Sequence, residues 1–136
     1  MDVRALRRDL VATGAFLALV TLTPTSRGAF IITFSQNGPN VDAIGAGSLN
    51  VSALTFEPDP LLGGSFVQPN SGVAAVGGIT PTLAGFPVAG PTSIGPGGVH
   101  TATSGTGPPV AISGAVGLLF VPVGYQSGTS ITSSGT

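Results

Sequence analysis

Of the 22 Gly and 12 Pro in the sequence, all but three lie between Phe30 and Thr136, where they fill more than a quarter of the positions. Each disfavours helix interiors, glycine through backbone entropy and proline through its missing N–H. At this density a chain is either low in complexity or built of short strands broken by turns. The rest of the composition decides between the two. Over the same span Leu, Ile, Val and Phe are together as numerous as Gly and Pro, and more than half of them are Val or Ile. β-branched residues at that level suit a pleated, half-buried surface. The expected fold is therefore all-β: a small sandwich-like or partly open antiparallel sheet with long Gly/Pro-rich loops and no helix after Ala29.

The start of the chain is of a different kind. Arg4, Arg7 and Arg8 form a positive segment, and Leu10 to Leu22 is an uncharged apolar run. Pro24, Ser26 and Gly28-Ala29 follow as a breaker and small residues. This is the three-part layout of a secretory signal, and its apolar run is shorter than the roughly 20 residues of a bilayer-spanning helix. Residues 1–29 are read as a cleaved signal peptide forming an N-terminal helix, and 30–136 as one β domain. The expected destination is outside the cytoplasm. Membrane contact arises only if the signal stays uncleaved. Arg7-Arg8 is a poor twin-arginine match, because Asp9-Leu10-Val11 departs from what should follow.

Cleavage there removes every cation of the chain. Arg4, Arg7, Arg8 and Arg27 all precede Phe30, and no lysine exists. What remains carries Asp42, Glu57 and Asp59, with His100 as its one imidazole. Nucleic-acid binding needs Lys or Arg to neutralise phosphates and release counterions, so DNA and RNA are excluded as partners. Attraction to anionic lipid fails for the same reason. The absence of cysteine excludes disulfides and thiolate metal sites.

Along the domain, Phe30, Ile32 and Phe34 alternate with Ile31, Thr33 and Ser35, as in a strand with one apolar face. Asn37-Gly38-Pro39-Asn40 has turn chemistry, and alternation resumes from Val41 to Val51, which predicts a hairpin. The small residues at 43–47 suit close approach of another sheet, or a bulge. Further strands are expected at 53–56, 65–68, 73–76, 92–94, 110–113 and 115–121. Pro58 and Pro60 exclude a central strand around Glu57.

Little in this pattern points to chemistry. His100 is of the residue type used as a general base near neutral pH, yet no G-x-S-x-G elbow is present and Asp59 is its nearest acid in sequence. Glu57 and Asp59 fall short of the six to eight oxygens that calcium prefers. Asp42 is expected to face solvent. Tyr125, after Pro122-Val123-Gly124, suits a buried ring whose hydroxyl reaches backbone at a corner. Gly95-Pro96-Gly97-Gly98 lacks the Lys and the following helix of a phosphate loop. Asn50-Val51-Ser52 is a chance-level match to a glycosylation sequon. With no Trp, one Tyr, and Phe mostly at apolar strand positions, aromatic platforms for sugars are weakly signalled. No catalytic, cofactor or metal residue is assigned, and the chain is read as non-enzymatic. Extracellular polysaccharide and self-association are the partners left open.

Three blocks of the sequence resemble secreted PEP-CTERM proteins: residues 30–56 (FIITFSQNGPNVDAIGAGSLNVSALTF), 90–98 (GPTSIGPGG) followed by Thr103-Ser104-Gly105, and 117–132 (GLLFVPVGYQSGTSIT). The resemblance spans most of 29–132 and is weakest over 57–89. It implies Gram-negative export to the cell envelope or the medium and an association with exopolysaccharide or biofilm, and it supplies no catalytic residues. Such proteins continue into a further strand, a Pro-Glu-Pro signal, an apolar helix and an Arg cluster, whereas this sequence stops at Ser133-Ser134-Gly135-Thr136. The expectation is a truncated relative, or a non-functional fragment of one, that lacks exosortase sorting and exposes an unpaired sheet edge.

Overall fold

The computed structural model describes residues 28–59, 64–79 and 82–136. The predicted signal helix lies outside them, apart from Gly28 and Ala29. The domain is all-β, in two antiparallel sheets that form a sandwich-like arrangement. The first has four strands in the order β1 (Phe30–Asn37), β2 (Asn40–Ser48), β11 (Ser130–Gly135) and β8 (Gly105–Thr106). The second has seven: β3 (Glu57–Asp59), β6 (Leu83–Pro87), β10 (Leu118–Pro122), β9 (Val110–Ser113), β5 (Val73–Val76), β4 (Phe66–Gln68) and β7 (His100–Thr101). The helical content among the described residues is one 3₁₀ turn, Pro69–Ser71.

The predicted hairpin is present. β1 and β2 pair from Phe30↔Gly47 to Asn37↔Asn40, closing on the two-residue loop Gly38-Pro39. Gly38 has φ 59°, and the ring of Pro39 keeps the next φ negative; glycine at the first central position is what a type II′ hairpin turn requires. Residues opposite each other share a face. Phe30, Ile32 and Phe34 therefore stand beside Gly47, Gly45 and Ala43 on the side toward the second sheet.

The small residues of β2 serve that approach. A Cβ on Gly45 would lie 2.6 Å from both Phe30 Cζ and Val76 Cγ1. Val76 belongs to β5, so glycine here sets how closely the two sheets stack.

The most apolar run sits near the centre of the larger sheet. Phe120 is 1% exposed and Val121 is fully buried, so both faces of β10 are covered. One face carries Leu83, Phe120, Leu118, Ala111 and Ala75 with Phe66 against them. The other carries Val121, Ala84 and Phe86, which pack with Val51, Leu49, Leu54 and Tyr125. Burying a side chain of this size stabilises the fold by about 1.5–3 kcal/mol.

Several strand boundaries differ from the sequence reading. Residues 53–56 form no strand: Leu54 N–H donates to the Val51 carbonyl in a turn that drops Val51 and Leu54 into the second cluster. The strand is instead β3, and its Pro58 is tolerated because β3 is a sheet edge. Residues 92–94 bend and join no sheet. β10 starts at Leu118 because Gly117, at φ 67°, turns the chain back from β9. β6, β8 and β11 carry no expectation from the residue pattern, whereas β7 falls where a loop or strand start is expected at His100-Thr101. β11 is an inner strand, lying between β2 and β8.

Candidate functional site

At the open end of the sandwich, the tip of the β1–β2 hairpin faces the edge strand β7. Between them lies a cleft of about 260 Å³. Phe34 follows Phe30 and Ile32 along the same face of β1, but it projects past the covered part of the second sheet and is 44% exposed. Val67 and His100 are opposite each other in the β4–β7 ladder, which brings His100 to the cleft wall. Asn40, Thr101, Thr103 and Thr136 add uncharged polar groups.

The rim is fixed by hydrogen bonds. Thr103 N–H and Oγ1–H both donate to the Thr136 carbonyl, at 2.6 and 2.9 Å. Thr136 Oγ1 in turn donates to Asp42 Oδ1 at 3.1 Å. Asp42 also accepts from Asn37 Nδ2 at 3.0 Å. Asp42 lies, as expected, on the outer face of β2 with exposed Ile44 and Ala46, and its exposed hydrogen bonds tie the hairpin tip to the residue that follows β11. Its charge makes these hydrogen bonds stronger than neutral ones.

The residues singled out from the sequence are not assembled into a catalytic set. His100 lies on β7 and Glu57 on β3, at opposite edges of the larger sheet. No Asp or Glu is among the described residues lining the cleft. Among the described residues there is also no cluster of three or more His, Asp or Glu that could hold a metal ion. Gly95 to Gly98 leads into β7 rather than a helix, and Ile94 N–H donates to the Pro69 carbonyl, fastening this loop to the 3₁₀ turn.

Two motifs have structural roles. The Tyr125 hydroxyl accepts from Leu49 N–H at 2.9 Å and donates to the Thr129 carbonyl at 2.7 Å, the corner contact expected from sequence. Asn50 Oδ1 accepts from Ser52 N–H, Ser52 Oγ and Ser127 Oγ. The sequon asparagine is thus the knot of a turn. A second recess of about 250 Å³ lies between Phe30, Ile32, Ile112 and Leu119, and among the described residues no polar side chain lines it to orient a ligand.

Alternation assigns Phe34 to the core, so its place at the cleft is invisible in the sequence. Asn40 and Thr101 carry no signal at all, being far apart along the chain. The cleft offers one exposed aromatic ring, an imidazole, an amide and hydroxyls. No protein-family model matches the chain, and neither a curated protein nor a solved structure matches it.

Proposed function

We propose that the chain is an exported, non-enzymatic protein of the Gram-negative cell envelope or extracellular matrix, associated with exopolysaccharide or biofilm. The carrying observation is the three-part leader placed directly ahead of a β domain without cysteine or any cation. The resemblance to secreted PEP-CTERM proteins supports the same reading. A domain that packs without disulfides and carries only acidic charge is suited to a matrix in which solubility and turn-rich sheet matter more than reactive groups. Fractionation of the producing cell tests it: the protein is expected in the envelope or the medium, and a cytoplasmic pool alone refutes it.

A second reading, an extracellular polysaccharide-binding module, is favoured by the cleft at Phe34. An apolar ring beside uncharged hydrogen-bonding groups matches the alternating C–H and O–H surface of a neutral sugar. Affinity electrophoresis in gels containing a neutral polysaccharide discriminates the two. Retardation that Phe34→Ala abolishes supports the module, and unchanged mobility supports a matrix role without glycan recognition.

A further inference from the structure

We propose that β1 is a self-association edge, through which two copies of this chain join their four-stranded sheets antiparallel about a two-fold axis at Thr33. The inference rests on the fold and is independent of where the protein works.

Among the described residues the sandwich has four sheet edges: β1 and β8 in one sheet, β3 and β7 in the other. Unprotected edges pair with other chains, and folds normally shorten them or guard them with charge and proline. Three of these edges have such protection. β7 and β8 are two residues long, and β3 is three residues long with Glu57, Pro58 and Asp59. β1 has none. It runs for eight residues, FIITFSQN, without charge, proline or glycine. Among the described residues β2 is its one strand partner.

The register defines what the edge presents. Ser48 N–H donates to the Ala29 carbonyl, so 29↔48 is a hydrogen-bonded pair. Such pairs alternate along an antiparallel ladder. Odd-numbered residues of β1 therefore bond to β2, while Phe30, Ile32, Phe34 and Gln36 turn N–H and C=O away from it. An extended strand can pair with a row of this kind along its whole length.

The segment's own composition favours a second copy. Two β1 strands set antiparallel about Thr33 place Phe30 opposite Gln36, Ile31 opposite Ser35, and Ile32 opposite Phe34. Every outward-turned residue then meets another outward-turned residue, and no like charges meet. Ile31, 65% exposed in the single chain, gains a neighbour. The axis falls on a Thr–Thr cross-strand pair, which is a favourable one.

The native chain has no cysteine, so one introduced thiol reports the register cleanly. Across the axis, residue 33 forms a non-hydrogen-bonded pair whose Cα separation of about 4.5 Å lies within disulfide range. Mild oxidation of full-chain Thr33→Cys is expected to give a single covalent dimer. Ile79→Cys, at an exposed position remote from β1, is expected to stay monomeric. Equal cross-linking of the two variants would overturn the proposal, because it would indicate unspecific association. In sedimentation equilibrium the wild-type full chain is expected at twice the monomer mass and Thr33→Lys at the monomer mass. An equimolar mixture of Thr33→Lys and Thr33→Asp is expected to return to twice the mass. That rescue separates a lost interface from a misfolded variant. A wild-type protein that stays monomeric, or a mixture that fails to recover, would refute the assignment.

Discussion

Ser65 and Gly77 close a two-bond ring. Gly77 N–H donates to Ser65 Oγ at 2.9 Å, and the same hydroxyl donates to the Gly77 carbonyl at 3.0 Å. The serine thereby stands in for a strand where the backbone leaves β5. It is 7% exposed and lies against Gly135 of the other sheet, where an added Cβ would collide with its Oγ and Cβ. A single hydroxyl thus satisfies one sheet and sets the spacing to the next.

Ser65→Ala leaves two buried backbone groups without this partner, and the expected cost is about 1–3 kcal/mol. Urea denaturation should show a lower midpoint with an unchanged slope. A loss below about 0.5 kcal/mol, within the range typical of ordinary surface changes, would mean that water replaces the hydroxyl.

Gly135→Ala should destabilise by a related mechanism from the other side, through crowding against Ser65. Because the two residues touch, the effects should not add. The Ser65→Gly/Gly135→Ala double variant is expected to lose measurably less stability than Ser65→Gly and Gly135→Ala lose between them. Strict additivity in a denaturation cycle would argue against the contact.

Gly45→Ala tests the spacing between the sheets. The new methyl would meet Phe30 Cζ and Val76 Cγ1, and Val76 is fully buried and cannot retreat. Overpacking of this kind costs about 1–3 kcal/mol. Replacing the ring in Gly45→Ala/Phe30→Leu should recover part of that loss in thermal melts. No recovery would place the strain elsewhere.

Tyr125→Phe retains the ring in its cluster but removes the acceptor for Leu49 N–H and the donor to Thr129. The expected loss is about 1–2 kcal/mol, at the lower end for a part-buried group. Hydrogen exchange at the Leu49 amide should accelerate. Unchanged protection there would show that the hydroxyl is not the amide's acceptor.

These contacts separate what the sequence reveals from what it hides. The β1–β2 hairpin is legible because alternation and a Gly-Pro turn act locally, and glycine at 45 and 47 announces a close neighbour without naming it. β11 is hidden because its buried positions are Ile131, Ser133 and Gly135: two are chosen for small size, so no apolar period marks the strand. β3 is displaced because Val51 and Leu54 reach the core from a turn, which leaves the proline-containing edge to form the strand. The cleft is the least legible feature. His100 stands out as a residue type, whereas Phe34, Asn40 and Thr136 become its neighbours only when the two sheets stack.

The most direct test of the account is the mass of the intact protein recovered from outside the cytoplasm. Processing of the leader predicts a chain that begins near Phe30, lacks all four arginines and carries only acidic charge. Cleavage after Ala29 also takes away the carbonyl that accepts Ser48 N–H, so the ladder should begin one bond later in the mature form. A protein found in the cytoplasm with Met1 and its arginines intact would contradict the account.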